Sequence, residues 1–534
     1  MSQLTLFKEE GIKLINLKEA SAWASQYLNR KVTVSNISYL VQYGKIKKYG
    51  YNGNIFVDID ELKNYYDSFQ KQEDWMGKLG DDVNWHLSFV QYKEAERTKH
   101  VHRLHPYKGK FIPQLVEYFL DSHVDEYKKE IYFHKGDIVL DPFCGSGTTL
   151  VQANELEMHA IGIDISPFNC LISNVKVEKH NLILVEDIIH KLTSRLKDFQ
   201  RTQNNAIFEE YLQLELTKFN SEYFPSPEYK RKVSNGTINE NKYAKEKEKE
   251  FIDVYNELIK KFKIKIIQNK NETFLDKWFL EPVRKEIDFL SQEIKKIDNV
   301  DVKNVLTIIL SRTVRSCRAT THADLATLKQ PVTTTYYCKK HGKICKPIFS
   351  ITKWWEFYTI DTLNRFKDFD SLRTNTLQIC LIGDSRTINL YEEIKKKNTD
   401  LARILLKQKI RGIFSSPPYV GLIDYHEQHA YAYEIFGFER NDELEIGPLS
   451  NGQGEVQRNS YSKSIAEVLL NGKKYLQNGY DIFLVANDKF NLYPKIAELA
   501  GMKIVNQFKR PVLNRVEKDR GTPYAEIIFH LKER

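Results

Sequence analysis

The sequence predicts an α/β protein built around a twisted sheet, and three apolar runs carry this prediction. Residues 137–140 form a short apolar run that ends in Asp141 and a glycine-bearing turn, after which helix-forming residues follow. Residues 160–165 indicate a second buried strand with Asp164 at its carboxyl end, and residues 481–486 form a third, strongly apolar run. Strand, tight loop and helix in succession are typical of the α/β class.

The N-terminal segment predicts a small separate module, residues 1–70. Its pattern indicates helices at residues 17–24 and 33–41, a basic turn at 44–49, a wing strand at 54–58 and a closing helix at 60–66. This order is similar to the winged helix-turn-helix of excisionase-like and MerR-like DNA-binding proteins, with residues 35–43 in the position of the recognition helix. Ser35 and Lys47 are the candidate DNA contacts. The alternative is a small helical domain that packs on the rest of the chain or mediates dimerisation.

The turn after the first core strand is the predicted ligand-binding loop of the next segment, residues 71–185. Gly145 and Gly147 lack the β-carbon that would keep a ligand from approaching the backbone, and the helix that follows offers N–H groups without helical partners. Asp164 ends the next strand, where a ribose diol can be held by bidentate hydrogen bonding. An adenosine-containing cofactor fits both features. The alternative for the loop alone is a tight turn before an ordinary helix.

Four residues far downstream, Ser416, Pro417, Pro418 and Tyr419, predict the catalytic centre. Two consecutive prolines fix the backbone and donate no hydrogen bond, so the Pro417 carbonyl oxygen can accept one from a substrate N–H. An extruded base can stack on Tyr419 while its amino group donates to the Ser416 hydroxyl. The alternative is a proline-stiffened turn with a packed tyrosine. Because loop and tetrad occur together, the sequence favours one active site built from distant segments.

Both motifs resemble those of the S-adenosylmethionine-dependent DNA amino-methyltransferases. Residues 141–149, DPFCGSGTT, look like the family's cofactor motif, and residues 416–419, SPPY, look like its catalytic motif. Residues 105–113 are similar to the family segment beside the methionine end of the cofactor, residues 382–386 match the acidic strand end near the adenine, and residues 424–429 look like the start of a family helix lining both pockets.

The resemblance implies a class I methyltransferase fold, a Rossmann-like twisted sheet, with S-adenosyl-L-methionine as the cofactor. The catalytic residues that it implies are Ser416, Pro417, Pro418 and Tyr419. The cofactor-binding residues that it implies are Lys110, Phe111, Asp141, Pro142, Phe143, Cys144, Gly145, Ser146, Gly147, Thr148, Asp164, Ile165 and Asp384.

The target base stays open between two amino groups. The cofactor loop precedes the tetrad here, whereas many relatives that methylate cytosine place the tetrad first. In the family, a serine at the first tetrad position usually accompanies N4-cytosine methylation, and aspartate or asparagine usually accompanies N6-adenine methylation. We favour cytosine N4 and keep adenine N6 as the alternative. Methylation of a ring carbon is disfavoured because Pro417 is followed by a second proline rather than a cysteine, and Cys144 is interpreted as a packing residue.

A long insertion, residues 186–375, separates the cofactor half from the catalytic half, residues 376–534. Its lysine-rich run at residues 239–250 has no apolar stripe, which favours a solvated helix or connection. Residues 311–322 concentrate arginines and small hydroxyl residues, side chains that reach phosphates and base edges. In the family, target recognition usually lies in such an insertion. We therefore expect DNA contacts from Arg312, Arg315, Arg318 and Thr321.

Cys338, His341 and Cys345 raise a metal hypothesis, because C-x-x-H-x-x-x-C supplies three ligands of the type that tetrahedral zinc takes. A fourth ligand is missing nearby in the sequence, although Cys317 or His322 can complete the set in three dimensions. The favoured interpretation is a tyrosine-rich hairpin with reduced thiols and no metal.

Composition agrees with an enzyme that acts on an anionic polymer. The chain has 534 residues, a formal net charge of +9 and a pI near 8.8, which favours double-stranded DNA as the partner. Six cysteines without a regular framework, and no apolar run long enough for a bilayer, predict a cytoplasmic protein without a membrane segment. A secretory signal is not expected from the first residues. A separately encoded restriction endonuclease is a further candidate partner.

Three other functional classes compete with this interpretation. A DNA-binding regulator that retains the fold without catalysis is favoured by the N-terminal module but opposed by the intact motifs. An RNA or protein methyltransferase is possible because related tetrads orient other amino groups, but the long insertion opposes it. A fused nuclease lacks a convincing core in the sequence.

Residues 503–505 and 525–530 are expected as paired final strands, and residues 444–461 as a mobile loop near the DNA.

Overall fold

The computed structural model describes residues 13–42, 46–50, 55–67, 77–80, 82–89, 92, 94–107, 109–269, 272–322, 324, 328–512 and 524–534. Tyr43, Gly44, Lys45, Asn54 and Lys108, which belong to segments with predicted roles, lie outside this set. The chain divides into two compact units. The first comprises residues 1–82, 212–256 and 335–346, and the second comprises residues 83–211, 257–334 and 347–534.

The N-terminal segment of the first unit contains the predicted helices and strand. In chain order its elements are β1 (Leu14–Asn16), α1 (Leu17–Tyr27), α2 (Val34–Gln42), β2 (Phe56–Asp58) and α3 (Ile59–Asp67). The Asn16 side chain accepts from the backbone of Glu19 while the Glu19 carboxylate accepts from the backbone of Asn16, a capping box that fixes the start of α1. β1 pairs antiparallel with β2, and a small apolar core that includes Ala24, Ile37 and Leu62 closes the segment.

The first half of the second unit carries the cofactor motif. Its elements are α4 (Glu94–Arg97), α5 (Pro113–Leu120), β3 (Ile138–Asp141), α6 (Thr148–Glu155), β4 (His159–Asp164) and α7 (Pro167–Val177). All four residues of β3 are buried, as the apolar run predicts. Short 3-10 turns at Trp85–Ser88 and His100–Arg103 precede α5.

The insertion is mainly helical, and its helices and strands fall in both units. Its elements are α8 (Leu182–Arg201), α9 (Asn205–Tyr223), α10 (Glu228–Ser234), α11 (Glu240–Phe262), α12 (Phe274–Trp278), α13 (Glu281–Lys295), α14 (Val300–Ser316), β5 (Tyr336–Cys338), β6 (Lys343–Cys345) and α15 (Thr352–Asp370). The lysine-rich run at residues 240–250 lies within α11, in agreement with the predicted solvated helix.

The C-terminal half completes the sheet. Its elements are β7 (Gln378–Ile382), α16 (Leu390–Lys397), α17 (Thr399–Lys407), β8 (Ile410–Ser415), α18 (Tyr425–Gln428), α19 (Ala430–Phe436), α20 (Glu455–Lys473), β9 (Leu476–Ala486), α21 (Tyr493–Leu499), β10 (Met502–Pro511) and β11 (Ala525–Glu533). Further 3-10 turns lie at Asp442–Leu444 and Leu449–Asn451.

The central sheet has seven strands in the order β10-β11-β9-β8-β3-β4-β7. The strand pairs β3–β4, β3–β8, β4–β7 and β8–β9 are parallel, whereas β11 runs antiparallel to both β9 and β10. The paired final strands are therefore confirmed. This mostly parallel sheet, with helices between successive strands and an antiparallel edge, confirms the predicted twisted α/β sheet of the class I methyltransferase type.

One segment differs from its expectation. Residues 444–461 do not form a mobile loop throughout, because α20 begins at Glu455 and buries Tyr461 in the core beside the sheet. The Tyr461 hydroxyl lies 3.2 Å from that of Tyr493. The first turns of α20 are polar, and buried residues recur only from Tyr461 onward, so the sequence shows little apolar periodicity where the helix starts.

Among the residues described, no helix is both long and apolar enough to span a membrane. All six cysteines are buried, and none of them is in a disulfide.

Candidate active site

A cleft opens at the carboxyl ends of the parallel strands. Because strands that run in the same direction end at the same edge of a sheet, the residues that follow β3, β4, β7 and β8 converge there. The cleft measures about 860 Å³ to its open mouth, within the usual range for ligand sites. Thirteen of the predicted residues line it: Lys110, Phe111, Pro142, Phe143, Cys144, Gly145, Ser146, Thr148, Asp164, Ile165, Asp384, Ser416 and Pro418.

The glycine loop between β3 and α6 forms one wall. The Cys144 N–H donates to the Ile163 carbonyl at 3.0 Å, and the Gly147 N–H donates to the Cys144 carbonyl at 2.9 Å. Gly147 has φ +75°, and a β-carbon there would meet the Ser173 hydroxyl at 2.9 Å. The loop therefore needs glycine at this position for conformation and for space.

A buried lysine lies beneath the loop. The Lys176 ammonium on α7 is fully buried and donates to the Ser146 carbonyl. Burial, reinforced by the positive charge of Lys110, lowers the pKa of Lys176 well below its ordinary value. This bond fixes a loop carbonyl from inside the protein. The sequence motif did not point to Lys176; its position within the largely apolar run of α7 is the feature that could have done so.

Asp164 connects the loop to the second strand. Its Oδ2 accepts from the Gly145 N–H at 2.9 Å, while Oδ1 accepts from the Ser166 N–H at 2.8 Å and from the Asn169 amide at 3.1 Å. Burial raises the pKa of Asp164 to about 6, although these hydrogen bonds favour the ionised form. The carboxylate is thus held at the cleft wall by backbone and side-chain donors.

Asp384 lies at the cleft beyond β7 and is paired with a cation. Its carboxylate accepts from the Arg386 backbone N–H and from Nε of the same residue, each at 2.9 Å. The neighbouring Ser385 hydroxyl donates to the Pro142 carbonyl at 2.6 Å. The acidic strand end predicted from residues 382–386 is therefore at the cleft, and it is tied to the glycine loop through Ser385.

Other residues that line the cleft were not among the predicted site residues. His426 is buried, its Nδ1 contacts the Glu445 carboxylate, and its Nε2 accepts from the Asn441 N–H at 3.3 Å. The residues of this kind that line the cleft are Tyr107, Gly109, Ile163, Ser166, Asn169, Ser385, His426, Leu444, Glu445 and Ile446. Five of them fall within segments that the sequence analysis had singled out for the cofactor site: Tyr107, Gly109, Ile163, Ser385 and His426. Ser166, Asn169 and residues 444–446 lie outside those segments.

The predicted catalytic tetrad begins immediately after β8. Ser416 and Pro418 line the cleft, and the Ser416 hydroxyl donates to the Val485 carbonyl on β9 at 3.1 Å. The Tyr419 hydroxyl donates to the Glu526 carboxylate at 3.0 Å, and its ring packs against the core as a partly buried residue. Pro417 is buried and, like Tyr419, does not belong to the described cleft lining.

Asp141 and Gly147 support the cleft rather than line it. Asp141 is buried, and its Oδ1 accepts from the Ser415 hydroxyl at 2.5 Å and from the Phe143 N–H at 3.2 Å. Burial raises the pKa of Asp141 to about 6. This carboxyl joins the end of β3 to the end of β8.

Two of the expected DNA contacts are structural residues instead. Arg312 on α14 is buried, donates to Asp361 at 2.5 Å and to Thr362 at 2.8 Å, and stacks over the Tyr358 ring. Arg318 is also buried, and its Nε donates to the Arg315 carbonyl at 2.8 Å. These guanidinium groups are held inside the protein, so we correct their expected role.

The other expected DNA contacts are accessible to different degrees. Arg315 is partly exposed, and no acidic group in the described part of the chain forms an ion pair with it. Thr321 is partly exposed and donates to Asp324 at 2.9 Å. In the first unit, Ser35 is exposed on α2, and Lys47 is exposed with its ammonium 5.0 Å from the centre of the Tyr49 ring.

The candidate metal ligands Cys338, His341 and Cys345 lie together on the hairpin formed by β5 and β6.

Comparison with known proteins identifies relatives of this chain. Residues 8–175 match the DNA methylase family. The type II methyltransferase M.MjaII of Methanocaldococcus jannaschii is 46% identical over 530 residues, 97% of each chain. M.BsoBI of Geobacillus stearothermophilus is 30% identical over 125 residues, 23% of this chain and 22% of that protein. M.MvaI of Kocuria varians is 33% identical over 112 residues, 21% of this chain and 22% of that protein.

The M.MjaII match extends over the sheet, the loop and the tetrad alike, because it covers nearly all of both chains. Methyltransferases of this family take their methyl group from S-adenosylmethionine, as the resemblance of the motifs implies. The family expectation is therefore confirmed. The chain belongs to the S-adenosylmethionine-dependent DNA amino-methyltransferases, among the type II enzymes of restriction–modification systems.

Proposed function

We propose that this enzyme methylates the N4 amino group of a cytosine flipped out of double-stranded DNA, and that adenine N6 is the second candidate. The observation that carries the proposal is the position of Ser416, which lies in the same cleft as the residues of the cofactor motif. Serine at this tetrad position favours cytosine. The order of the motifs, with the loop before the tetrad, is the observation that keeps adenine as the alternative.

The residues of the cleft fit S-adenosylmethionine. Asp164 offers a carboxylate for the ribose hydroxyls, and Phe143, Ile165, Leu444 and Ile446 offer apolar surface for the adenine. A β-carbon on Gly145 would lie 3.0 Å from the Tyr107 hydroxyl, so the loop keeps space that a larger residue would fill. When bound, the cofactor supplies an electrophilic methyl group on a sulfonium.

Ser416 is prepared to accept a hydrogen bond. Its hydroxyl hydrogen is donated to the Val485 carbonyl at 3.1 Å, so the oxygen lone pairs remain for an incoming N–H. We assign one amino hydrogen of the base to Ser416 and the other to the Pro417 carbonyl. With both hydrogens held, the nitrogen lone pair is directed toward the methyl donor, and catalysis is chiefly positioning. The proton released from the amino group leaves to water or through Ser416.

Tyr419 has a fixed ring that can support the base. Its hydroxyl donates to Glu526, and Glu526 in turn lies 3.4 Å from the Arg510 guanidinium. This chain of contacts holds the ring in one orientation. We propose that the exposed part of the ring stacks on the flipped base, which costs less entropy when the ring is already held.

We propose two regions for DNA contact outside the cleft. Arg315 remains the candidate arginine for DNA contact in the insertion, because it is partly exposed and has no ion-pair partner among the residues described. Ser35 and Lys47 are the retained candidates of the N-terminal module. The division into a module at 1–70, a cofactor half at 71–185, a recognition insertion at 186–375 and a catalytic half at 376–534 is part of this proposal. Its setting is a cytoplasm that keeps thiols reduced, with a separately encoded endonuclease as partner.

The test is methyl transfer from labelled S-adenosylmethionine to mixed-sequence unmodified DNA, followed by digestion and mass spectrometry of the nucleosides. Labelled N4-methylcytosine is the expected product. Labelled N6-methyladenine would retain the mechanism and replace the base. Label in RNA or protein but not in DNA, with cofactor binding demonstrated, would contradict the assignment of the substrate.

A further inference from the structure

The hairpin formed by β5 and β6 has a turn that brings potential metal ligands together. Its strands pair antiparallel with Tyr336 opposite Cys345 and Cys338 opposite Lys343. The N–H groups of His341 and Gly342 both donate to the Cys338 carbonyl, at 3.1 and 2.7 Å. Gly342 has φ +64°, a conformation that favours glycine. The turn is therefore fixed by its own backbone, and it returns His341 toward the strands.

The three side chains have the spacing of a zinc site. The ligand atoms of Cys338, His341 and Cys345 all lie within 4.8 Å of one another. His341 Nδ1 is 3.5 Å from Cys345 Sγ. Zn–S and Zn–N bonds of about 2.3 and 2.0 Å at tetrahedral angles place such N and S atoms roughly 3.5 Å apart. The observed distance therefore matches one edge of a zinc tetrahedron.

The thiols are suited to a metal rather than to a disulfide. Cys338 and Cys345 are both buried, and neither is in a disulfide. Two thiolates would balance the charge of one Zn²⁺ ion.

The hairpin is also too small to be stable by itself. Each strand has three residues, and an isolated two-stranded hairpin is marginal in water. Side chains within the first unit hold the strands: Asn220 exchanges two hydrogen bonds with the Ile344 backbone at 2.9 and 3.0 Å, and Tyr337 donates to Glu240 at 2.8 Å. At the turn, the Lys230 ammonium donates to the Lys340 carbonyl at 3.1 Å. A metal would cross-link the two strands in addition to these contacts.

We propose that Cys338, His341 and Cys345 bind one structural zinc ion that fixes this hairpin. The site is separate from the methyl-transfer cleft, since none of its residues lines that cleft. Its function is to stabilise a local element of the insertion, which goes beyond the proposed transfer reaction. The fourth position of the tetrahedron is assigned to a solvent molecule.

The first measurement is the zinc content of the full-length protein, purified without chelator and passed over a desalting column. About one zinc ion per chain is expected, and it should be released when a mercurial reagent modifies the thiols. Replacement of zinc by Co²⁺ should give the intense visible bands of a tetrahedral thiolate site. Less than about one fifth of an ion per chain, even after zinc is added during refolding, would overturn the proposal.

Variants distinguish ligands from neighbours. Cys338→Ser, His341→Ala and Cys345→Ser should each lose zinc, whereas Lys339→Ala in the same turn should retain it. Chelator should lower the thermal midpoint of the wild type but not of Cys345→Ser. Zinc retained by all three ligand variants, or a Cys338–Cys345 disulfide found by mass spectrometry in the protein as isolated, would contradict the site.

Discussion

The Ser415 hydroxyl donates a hydrogen bond of 2.5 Å to Oδ1 of Asp141. Ser415 is the last residue of β8 and Asp141 the last residue of β3, and these strands are neighbours in the sheet. The cofactor loop begins at the next residue after Asp141, and the catalytic tetrad begins at the next residue after Ser415. One buried hydrogen bond therefore fixes the start of the loop relative to the start of the tetrad.

This relationship predicts different outcomes for two adjacent serines. Ser415→Ala removes one hydrogen-bond donor from the buried Asp141 carboxyl, which still accepts from the Phe143 N–H. We therefore expect a loss of about 1 to 3 kcal/mol in the free energy of unfolding. Ser416→Ala removes the proposed hydrogen-bond acceptor for the base and should lower turnover roughly 100-fold, with cofactor affinity unchanged. Chemical denaturation, calorimetric binding and single-turnover methylation measure these effects. Equal turnover in wild type and Ser416→Ala would contradict the catalytic role of Ser416.

The pKa of Asp164 predicts a pH dependence of cofactor binding. Burial raises this pKa to about 6, so the carboxylate that would hold the ribose is protonated in acid. We expect the dissociation constant for S-adenosylmethionine to rise up to about tenfold per pH unit below pH 6. Asp164→Asn should bind weakly with little pH dependence, whereas Asp384→Asn should keep the dependence. A slope that persists unchanged in Asp164→Asn would assign the titration to another group, such as Asp141.

The raised pKa of Asp164 predicts that the cofactor-free protein becomes less stable as pH rises, whereas cofactor binding becomes tighter. The folded pKa of about 6 lies above the unfolded value near 4, so the folded state holds the proton more tightly. Ionisation of Asp164 therefore reduces the free energy of unfolding as pH rises from about 4 through about 6. Denaturation of the wild type and Asp164→Asn across this range should show a larger decline with pH in the wild type, and parallel curves would be inconsistent with the raised pKa.

Gly147 predicts a steric effect that can be separated from backbone strain. A β-carbon at Gly147, φ +75°, would lie 2.9 Å from the Ser173 hydroxyl, whereas at Gly437, φ +72°, it would meet nothing within 4 Å. Gly437→Ala should cost about 1 kcal/mol from conformation alone. Gly147→Ala should cost about 2 to 4 kcal/mol and weaken cofactor binding. Similar losses for both variants would show that the Ser173 contact adds nothing.

The sequence predicted features that lie within one short segment of the chain better than contacts between distant residues. The apolar runs of β3, β4 and β9 indicated strands because burial on both faces leaves a continuous apolar stretch. The loop residues could be placed at the cleft because the carboxyl ends of parallel strands meet at one edge. Glu445 could not be found in this way, since its partner His426 is nineteen residues away and neither belongs to a repeated pattern.

The arginines of α14 illustrate the same limit. Arg312 and Arg315 are three residues apart on the same helix, yet Arg312 is buried and Arg315 is partly exposed. The burial of Arg312 is compensated by Asp361, which lies 49 residues further along the chain. A sequence shows a cation but not its distant partner, so a buried ion pair and a surface contact look alike until the helices pack.

These two arginines give the last prediction. Arg312→Ala would leave Asp361 with Arg365 as its remaining cation in a mostly buried site, so we expect a loss of about 2 to 4 kcal/mol in stability. Arg315→Ala should leave the thermal midpoint nearly unchanged but weaken binding of unmodified DNA. If the guanidinium contacts a phosphate, the slope of log affinity against log salt concentration should fall by about one. Binding titrations at several salt concentrations, alongside thermal melts, measure both. Unaltered DNA affinity and slope in Arg315→Ala would remove this residue from the DNA interface, and the N-terminal candidate Lys47 would then be tested by the same titrations.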